Sequence, residues 1–251
     1  MPDSINLENI TLVLQKPKYP ENIGAAARAA CNMGITHLRV IKPEDYDLSK
    51  INKLATHEAS KVVDQIQVYD QLYDAVAEFN YVVGTTARLG GERQVICSPS
   101  QLSEKLVPVS RKNRIAILFG PENRGLTNED IRFCHILVNI PTSAFSSLNL
   151  GHAVMVICYE LFSACSDAQN KFIPRLACRH ELEGMYEQLK DILVKISYMN
   201  PDNSDYWMVK VRRFLNRLNL KSREVSIIRG ICRQINWYGE KRFTDGRKSR
   251  D

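Results

Sequence analysis

Short apolar runs alternate with helix-patterned stretches through the first two thirds of the chain, and this alternation restricts the fold more than any other feature. Residues 10–14, 37–41, 81–84, 114–119 and 136–140 are short and largely apolar, as strands buried on both faces are. Between them, residues 22–33 are alanine-rich with a helical period, and Gly34 supplies a stop. Further helical stretches run to about Gln65 and over 70–79. Thr127 with Asp130 opens a short helix by a capping pair, and residues 148–165 read as a long apolar helix. Strands separated by helices need crossover connections. The expected fold class is therefore α/β with a mostly parallel sheet.

The pattern changes after Cys165. Residues 166–180 are polar, carry Pro174 and read as a linker. Residues 181–198, 206–218 and 222–238 read as helices, and the tail from Gly239 reads as mobile. The expected organisation is a 1–165 α/β domain, a 166–180 linker and a 181–251 all-α extension. Charge divides the same way: the net is +6 over 251 residues, but from Tyr206 onward 13 Lys and Arg face 4 Asp and Glu. A basic module on a near-neutral one points to a polyanionic partner, with a solvated basic helix as the plainer reading. As the only two tryptophans, Trp207 and Trp237 read as packing anchors rather than base-stacking platforms.

Several classes are excluded. No apolar stretch approaches the length of a membrane helix, and the acidic N-terminus lacks the basic region of a secretory signal, so the expected location is the cytoplasm. The seven cysteines are odd in number, form no C-x-x-C and do not cluster with the histidines. They read as reduced core residues, with no metal site. Gly120 to Gly125 has the outer spacing of a phosphate loop, but Leu126-Thr127 stand where Lys-Ser/Thr is required. No G-x-G-x-x-G follows the first strand, and no G-x-S-x-G is present, which removes ordinary dinucleotide enzymes and serine hydrolases.

Three strand ends carry small-residue loops instead: 84–88, 120–125 and 141–147. Ligands of open α/β sheets bind beyond the carboxyl ends of strands, and small residues let the backbone approach them. Near these loops stand a carboxylate, Glu122, and Asn22 and Arg28 on the alanine-rich helix. Arg28 is either an anion ligand or a solvent-facing arginine. Ser146, Ser147, Leu148 and Asn149 either contribute to the site or cap the long helix.

The segments NIGAAARA (22–29), LFGPENRGLTNED (118–130) and IPTSAFSSLNLGHAV (140–154) resemble the three motifs of the SpoU, or TrmH-like, branch of the SPOUT RNA 2'-O-ribose methyltransferases, and VVGTTAR (82–88) resembles a further loop of that fold. The tail, with ISYMNPDN (196–203) and LKSREVSIIRGI (220–231), resembles the C-terminal extension of TrmJ-type tRNA methyltransferases. The resemblance implies a trefoil knot in the C-terminal part of the sheet and a homodimer with active sites at the subunit interface. It implies S-adenosyl-L-methionine as cofactor, held by Thr85, Thr86, Ala87, Gly120, Ile140, Ser146, Ser147 and Leu148. It implies a catalytic set of Asn22, Arg28, Glu122, Ser147 and Asn149. The substrate it implies is tRNA, methylated on the ribose of cytidine or uridine 32 in the anticodon loop, with neither membrane nor DNA as partner. The alternatives are a SpoU-type enzyme acting on ribosomal RNA or another tRNA position, and a non-catalytic RNA-binding relative.

Overall fold

The structure, a computed structural model, describes residues 5–87, 96–143, 147–164 and 175–248, the last seven of these by their backbone only. It divides into two compact units, Met1–Pro174 and Arg175–Asp251.

In the first unit, the described residues form a seven-stranded sheet: β1 (Ile10–Gln15), β2 (His37–Ile41), β3 (Gln67–Tyr69), β4 (Tyr81–Thr85), β5 (Ile96–Cys97), β6 (Ile115–Phe119) and β7 (Ile136–Val138). The spatial order is β3-β2-β1-β6-β4-β7-β5, and every neighbouring pair is parallel. β1, β6 and β7 are buried at every position, which explains their largely apolar sequences, with Thr11 and Gln15 of β1 as buried polar exceptions. The order runs outward in one direction through β2 and β3 and in the other through β6 and β4. The switch point thus lies between β1 and β6, where a crevice opens at the carboxyl ends.

Helices cover the sheet: α1 (Pro20–Asn32), α2 (Leu48–Asp64), α3 (Leu72–Val76), α4 (Pro99–Ser110), α5 (Asn128–Ile131) and α6 (Leu150–Ser163), with α1 packed on both α2 and α6. α1 begins with Pro20 at its first turn, two residues before the expected start, because the missing proline N–H would be unsatisfied there anyway. The Thr127–Asp130 capping pair is present at α5. Three elements escaped the sequence reading: β3, β5 and α4. α4 is set by a reciprocal Ser98–Gln101 capping box. Burial pushes the Cys158 thiol up to about 12 and the Cys97 thiol upward, as befits inert core cysteines.

The second unit holds α7 (Arg179–Lys195), α8 (Ser204–Asn216) and α9 (Ser222–Lys248) around a core that includes Leu182, Met185, Tyr186, Met208 and Val225. Leu176, within the expected linker, already bridges Lys221 in this unit; residues 165–174 lie outside the described residues. A buried polar knot joins α7 to α8. The Arg179 guanidinium is fully buried, donates to Asn216 Oδ1 at 3.2 Å and pairs with Glu183 at 3.0 Å, and the Tyr186 hydroxyl donates to the same Asn216 oxygen at 2.8 Å.

Two expectations are corrected here. The tail from Gly239 is helical: α9 continues to Lys248, and Gly239 and Gly246 each cost a helix only about 1 kcal/mol. At 1.5 Å per residue α9 spans about 40 Å against about 25 Å for α7. It outruns its partner, and Ile231 and Ile235 stay exposed despite the stripe they continue. Trp207 and Trp237 are also not core anchors. Both are exposed, with the Lys210 and Lys241 ammonium groups over their rings at 4.7 and 5.0 Å.

Candidate active site

Three strand-end loops converge at the carboxyl edge of the sheet. After β4, the Thr86 N–H donates to Val138 O at 2.9 Å and the Asn139 side chain donates to Thr86 O at 2.8 Å, which locks the ends of β4 and β7 together. The Thr85 hydroxyl donates to Leu118 O at 3.0 Å, tying in β6. After β6 the chain folds back on itself, and the Gly125 N–H donates to Pro121 O at 2.8 Å. Gly125 sits at φ +66, the left-handed region that glycine favours. A Cβ on Gly120 would stand 2.3 Å from the backbone of Gly125 and Leu126, so only glycine allows this fold-back.

The loops enclose a cavity of about 280 Å³. Seven of the eight residues that the resemblance assigns to the cofactor line it, Thr85, Thr86, Ala87, Gly120, Ile140, Ser147 and Leu148, and so does Glu122. The eighth, Ser146, lies outside the described residues. Phe119, Leu126 and Val138 supply apolar walls, and Thr85, Thr86, Glu122, Asn123 and Ser147 bring polar groups to the lining. Such a mix suits a flat heteroaromatic group with polar edges.

A chain of hydrogen bonds runs along the lip of this cavity. Glu122 Oε2 accepts from the Lys18 backbone N–H at 3.0 Å, and Glu122 Oε1 accepts from Asn22 Nδ2 at 2.5 Å. Asn22 Oδ1 accepts from Asn149 Nδ2 at 2.9 Å, and Asn149 Oδ1 accepts from the Gly151 N–H at 2.8 Å. Asn149 is thus the N-cap of α6 and a member of the polar chain at once. The first turn of α1, the β6 loop and the start of α6 are fixed to one another through three side chains. Asn22, Glu122 and Asn149 are brought together, and Ser147 lies two residues before Asn149 on the cavity wall. Arg28 is not with them. It is six residues along α1 from Asn22, exposed, and not among the residues lining the cavity.

A model of the SpoU rRNA methylase family matches residues 9–159, which includes the strands β1, β4, β6 and β7 and the loops just described. The chain belongs to the SpoU methylase family. A second model, the C-terminal domain of the tRNA methyltransferase TrmJ, matches residues 180–248. A Klebsiella pneumoniae relative named tRNA (cytidine/uridine-2'-O-)-methyltransferase TrmJ is 34% identical over 239 residues, 91% of this chain and 97% of the relative. Among solved structures, TrmJ from Z. mobilis ZM4 superposes with a TM-score of 0.78 at 29% identity, covering 90% of this chain and 98% of that one. A structure described by its insights into the 2-OH methylation of C/U34 on tRNA matches with a TM-score of 0.51 at 27% identity, over 63% of this chain and 97% of its own. The SpoU match accounts for the α/β unit and the TrmJ match for the helical one. Together they agree with the resemblance carried by the motifs.

Lys18, Asn139 and Arg124 also shape the site, and none was singled out in the sequence. Lys18 acts through its backbone, which leaves no trace in residue type. Asn139 acts by clamping a neighbouring loop, a contact that only the folded chain reveals.

Proposed function

We propose that this protein is an S-adenosylmethionine-dependent tRNA 2'-O-ribose methyltransferase acting on cytidine or uridine 32 of the anticodon loop. The observation that carries the reading is the Glu122–Asn22–Asn149 chain on the lip of the glycine-lined cavity. The residues fit the cofactor: Gly120 leaves a cradle that a Cβ would fill, and the cavity lining mixes apolar walls with polar residues. Thr85, Thr86, Ala87, Gly120, Ile140, Ser146, Ser147 and Leu148 would hold it. Bound there, S-adenosylmethionine supplies an already activated methyl group. The family's trefoil knot belongs to the same reading, supported by the crowding of three strand-end loops around one cavity, and so does a cytoplasmic location.

The protein's task is to align a ribose hydroxyl and dispose of its proton. Orientation alone contributes about 7–11 kcal/mol in well-aligned reactions. Glu122 already accepts two hydrogen bonds, so its part is to fix Asn22 and, through it, Asn149 at the reacting ribose. Ser147 sits on the wall where the ribose and the cofactor meet. A guanidinium keeps its proton, so Arg28 is assigned to a substrate phosphate and the developing alkoxide, in the site of a second copy of the chain. Its outward placement on α1 supports action across a dimer interface. The hydroxyl proton passes to a phosphate oxygen or to water. The basic helical unit grips tRNA through phosphates, and exposed Trp207 and Trp237 offer faces for bases.

The test is methyl transfer to unmodified tRNA transcript, with the product mapped by nuclease digestion and mass spectrometry. The expected product is a 2'-O-methyl at nucleotide 32. A methyl at nucleotide 34 would favour a second reading, which the match to the C/U34 structure supports. A methyl on ribosomal RNA alone, or none at all, would remove tRNA from the proposal.

A further inference from the structure

A second concavity, of about 470 Å³ and in the range of small-ligand sites, lies on the other side of the 121–124 loop. It lies at the carboxyl ends of β1, β2 and β3. It shares Pro121 and Arg124 with the cofactor cavity, so the two lie one loop apart.

Three observations set this groove apart from an incidental crease. First, Lys16 and Lys42, the residues that follow β1 and β2, both adopt the left-handed conformation, at φ 48 and φ 43. Each N–H donates to the end of the next strand, Lys16 to Ile41 O and Lys42 to Tyr69 O, both at 2.8 Å. Glycine or asparagine would occupy such positions at less cost, whereas lysine pays about 1–2 kcal/mol. What lysine adds is a cation, and neither lysine has an ion-pair partner among the described residues. Second, Gln15 on the lining is 94% buried, donates to Asp130 Oδ1 at 2.9 Å, and leaves its Oε1 acceptor without a donor. Third, the lining joins aromatic surface from Tyr73 and Phe133 to three carboxylates, Asp70, Glu129 and Asp130, of which Asp130 is already held by Gln15 and Thr127. Cations alone would suit free phosphate. Cations together with aromatic faces and carboxylate acceptors match a nucleotide: phosphate to lysine, base to ring, amino group to a carboxylate oxygen of Asp70 or Glu129.

We propose that this groove binds the RNA nucleotide next to the one whose ribose enters the active site. The proposal rests on the tRNA-methyltransferase reading. Seating the neighbouring base on the far side of the 121–124 loop splays the strand and draws the target ribose to Glu122 and Asn149. Lys16, Lys42 and Arg124 follow the phosphates on either side of that step.

The test is the double variant Lys16→Asn/Lys42→Asn in the full chain. Asparagine tolerates the left-handed conformation, so folding is preserved and a melting temperature no lower than wild type verifies it. Affinity for an anticodon stem-loop is measured over a range of salt, and S-adenosylmethionine binding is measured in parallel. The expected result is roughly tenfold weaker RNA binding at low salt, a salt slope shallower by about 1.4, and cofactor binding as in wild type. In a second measurement, 4-thiouridine beside the target nucleotide is photocrosslinked to wild type, and the adduct is expected on the peptides carrying Tyr73 or Phe133. Unchanged RNA affinity and slope, or crosslinks confined to other peptides, would overturn the groove proposal. Wild type that neither binds nor methylates tRNA would instead overturn the reading beneath it.

Discussion

Two glycines in the β6 loop are required for opposite reasons, and substituting each by alanine separates cavity shape from backbone strain. A Cβ on Gly120 would stand 2.3 Å from backbone atoms of Gly125 and Leu126, where ordinary contact begins at 3.4 Å, a shortfall of about 1.1 Å. Backbone cannot rotate away as a side chain can, so the 120–126 segment must shift by about that distance. Overpacking of this kind costs about 1–3 kcal/mol, and a displacement near 1 Å can cost about a hundredfold in rate. Gly125 has nothing within 4 Å of its would-be Cβ, but its φ of +66 imposes about 1–2 kcal/mol on an alanine. The two variants should therefore lose similar stability, read as melting temperature, at about 2–4 °C per kcal/mol. Only Gly120→Ala should lose S-adenosylmethionine affinity, by tenfold or more in calorimetric titration. Wild-type affinity in Gly120→Ala would refute the reasoning. So would equal losses of affinity in both variants, because strain alone would then explain them.

Other consequences can be measured directly. Arg28→Ala and Glu122→Ala chains, each inactive alone, should recover about a quarter of wild-type activity when unfolded and refolded as an equal mixture, because half the dimers then hold one complete site; no recovery would place Arg28 in its own subunit's site. Glu78 is partly buried, which raises its carboxyl pKa, but hydrogen bonds and charges from Arg39 and Arg114 outweigh that and hold it below the usual carboxylate range. Its contribution should be present above the unfolded carboxylate pKa of about 4.3 and vanish as pH falls through the lower folded value, so denaturation midpoints of wild type and Glu78→Gln should differ at pH 7 and converge in acid. A chain ending before Arg175 should keep cofactor affinity and lose roughly two orders of magnitude in tRNA affinity at low salt, since the basic unit has its own core and carries the net positive charge of the chain. Equal tRNA affinity in the shortened chain would refute that division of labour.

The five strands carried by apolar runs were legible because both their faces are buried, which removes the need for alternation. β3 and β5 were not, for the converse reason. They are edge strands of three and two residues, and β3 is largely exposed, so burial left little mark on their sequences. α4 carries Pro99 and Pro108, two residues that weaken a helical pattern, although the first occupies a first-turn position where proline is tolerated. The three loops around the cavity could be singled out because close backbone approach demands small residues, while their individual lining residues came from the resemblance of the motifs. The order of the strands, and hence the second groove, left no such mark. It depends on which strand ends become neighbours, and its most informative residues, Lys16 and Lys42, are unremarkable by type and unusual only in backbone angle.

The polar chain on the cavity lip has a direction. Each asparagine spends its amide nitrogen on the neighbour toward Glu122 and its oxygen on the neighbour toward α6, so neither group can turn over without breaking both its contacts. Exchange of Asn22 for aspartate, nearly identical in shape, would set an acceptor against the Glu122 carboxylate where a donor now stands at 2.5 Å, and a like charge with it. A bulkier residue misfits by volume; this exchange misfits by sign. The least visible replacement, a single amide turned acid, is for that reason among the most damaging the site could suffer, and spontaneous deamidation at Asn22 would silence the protein without altering its outline.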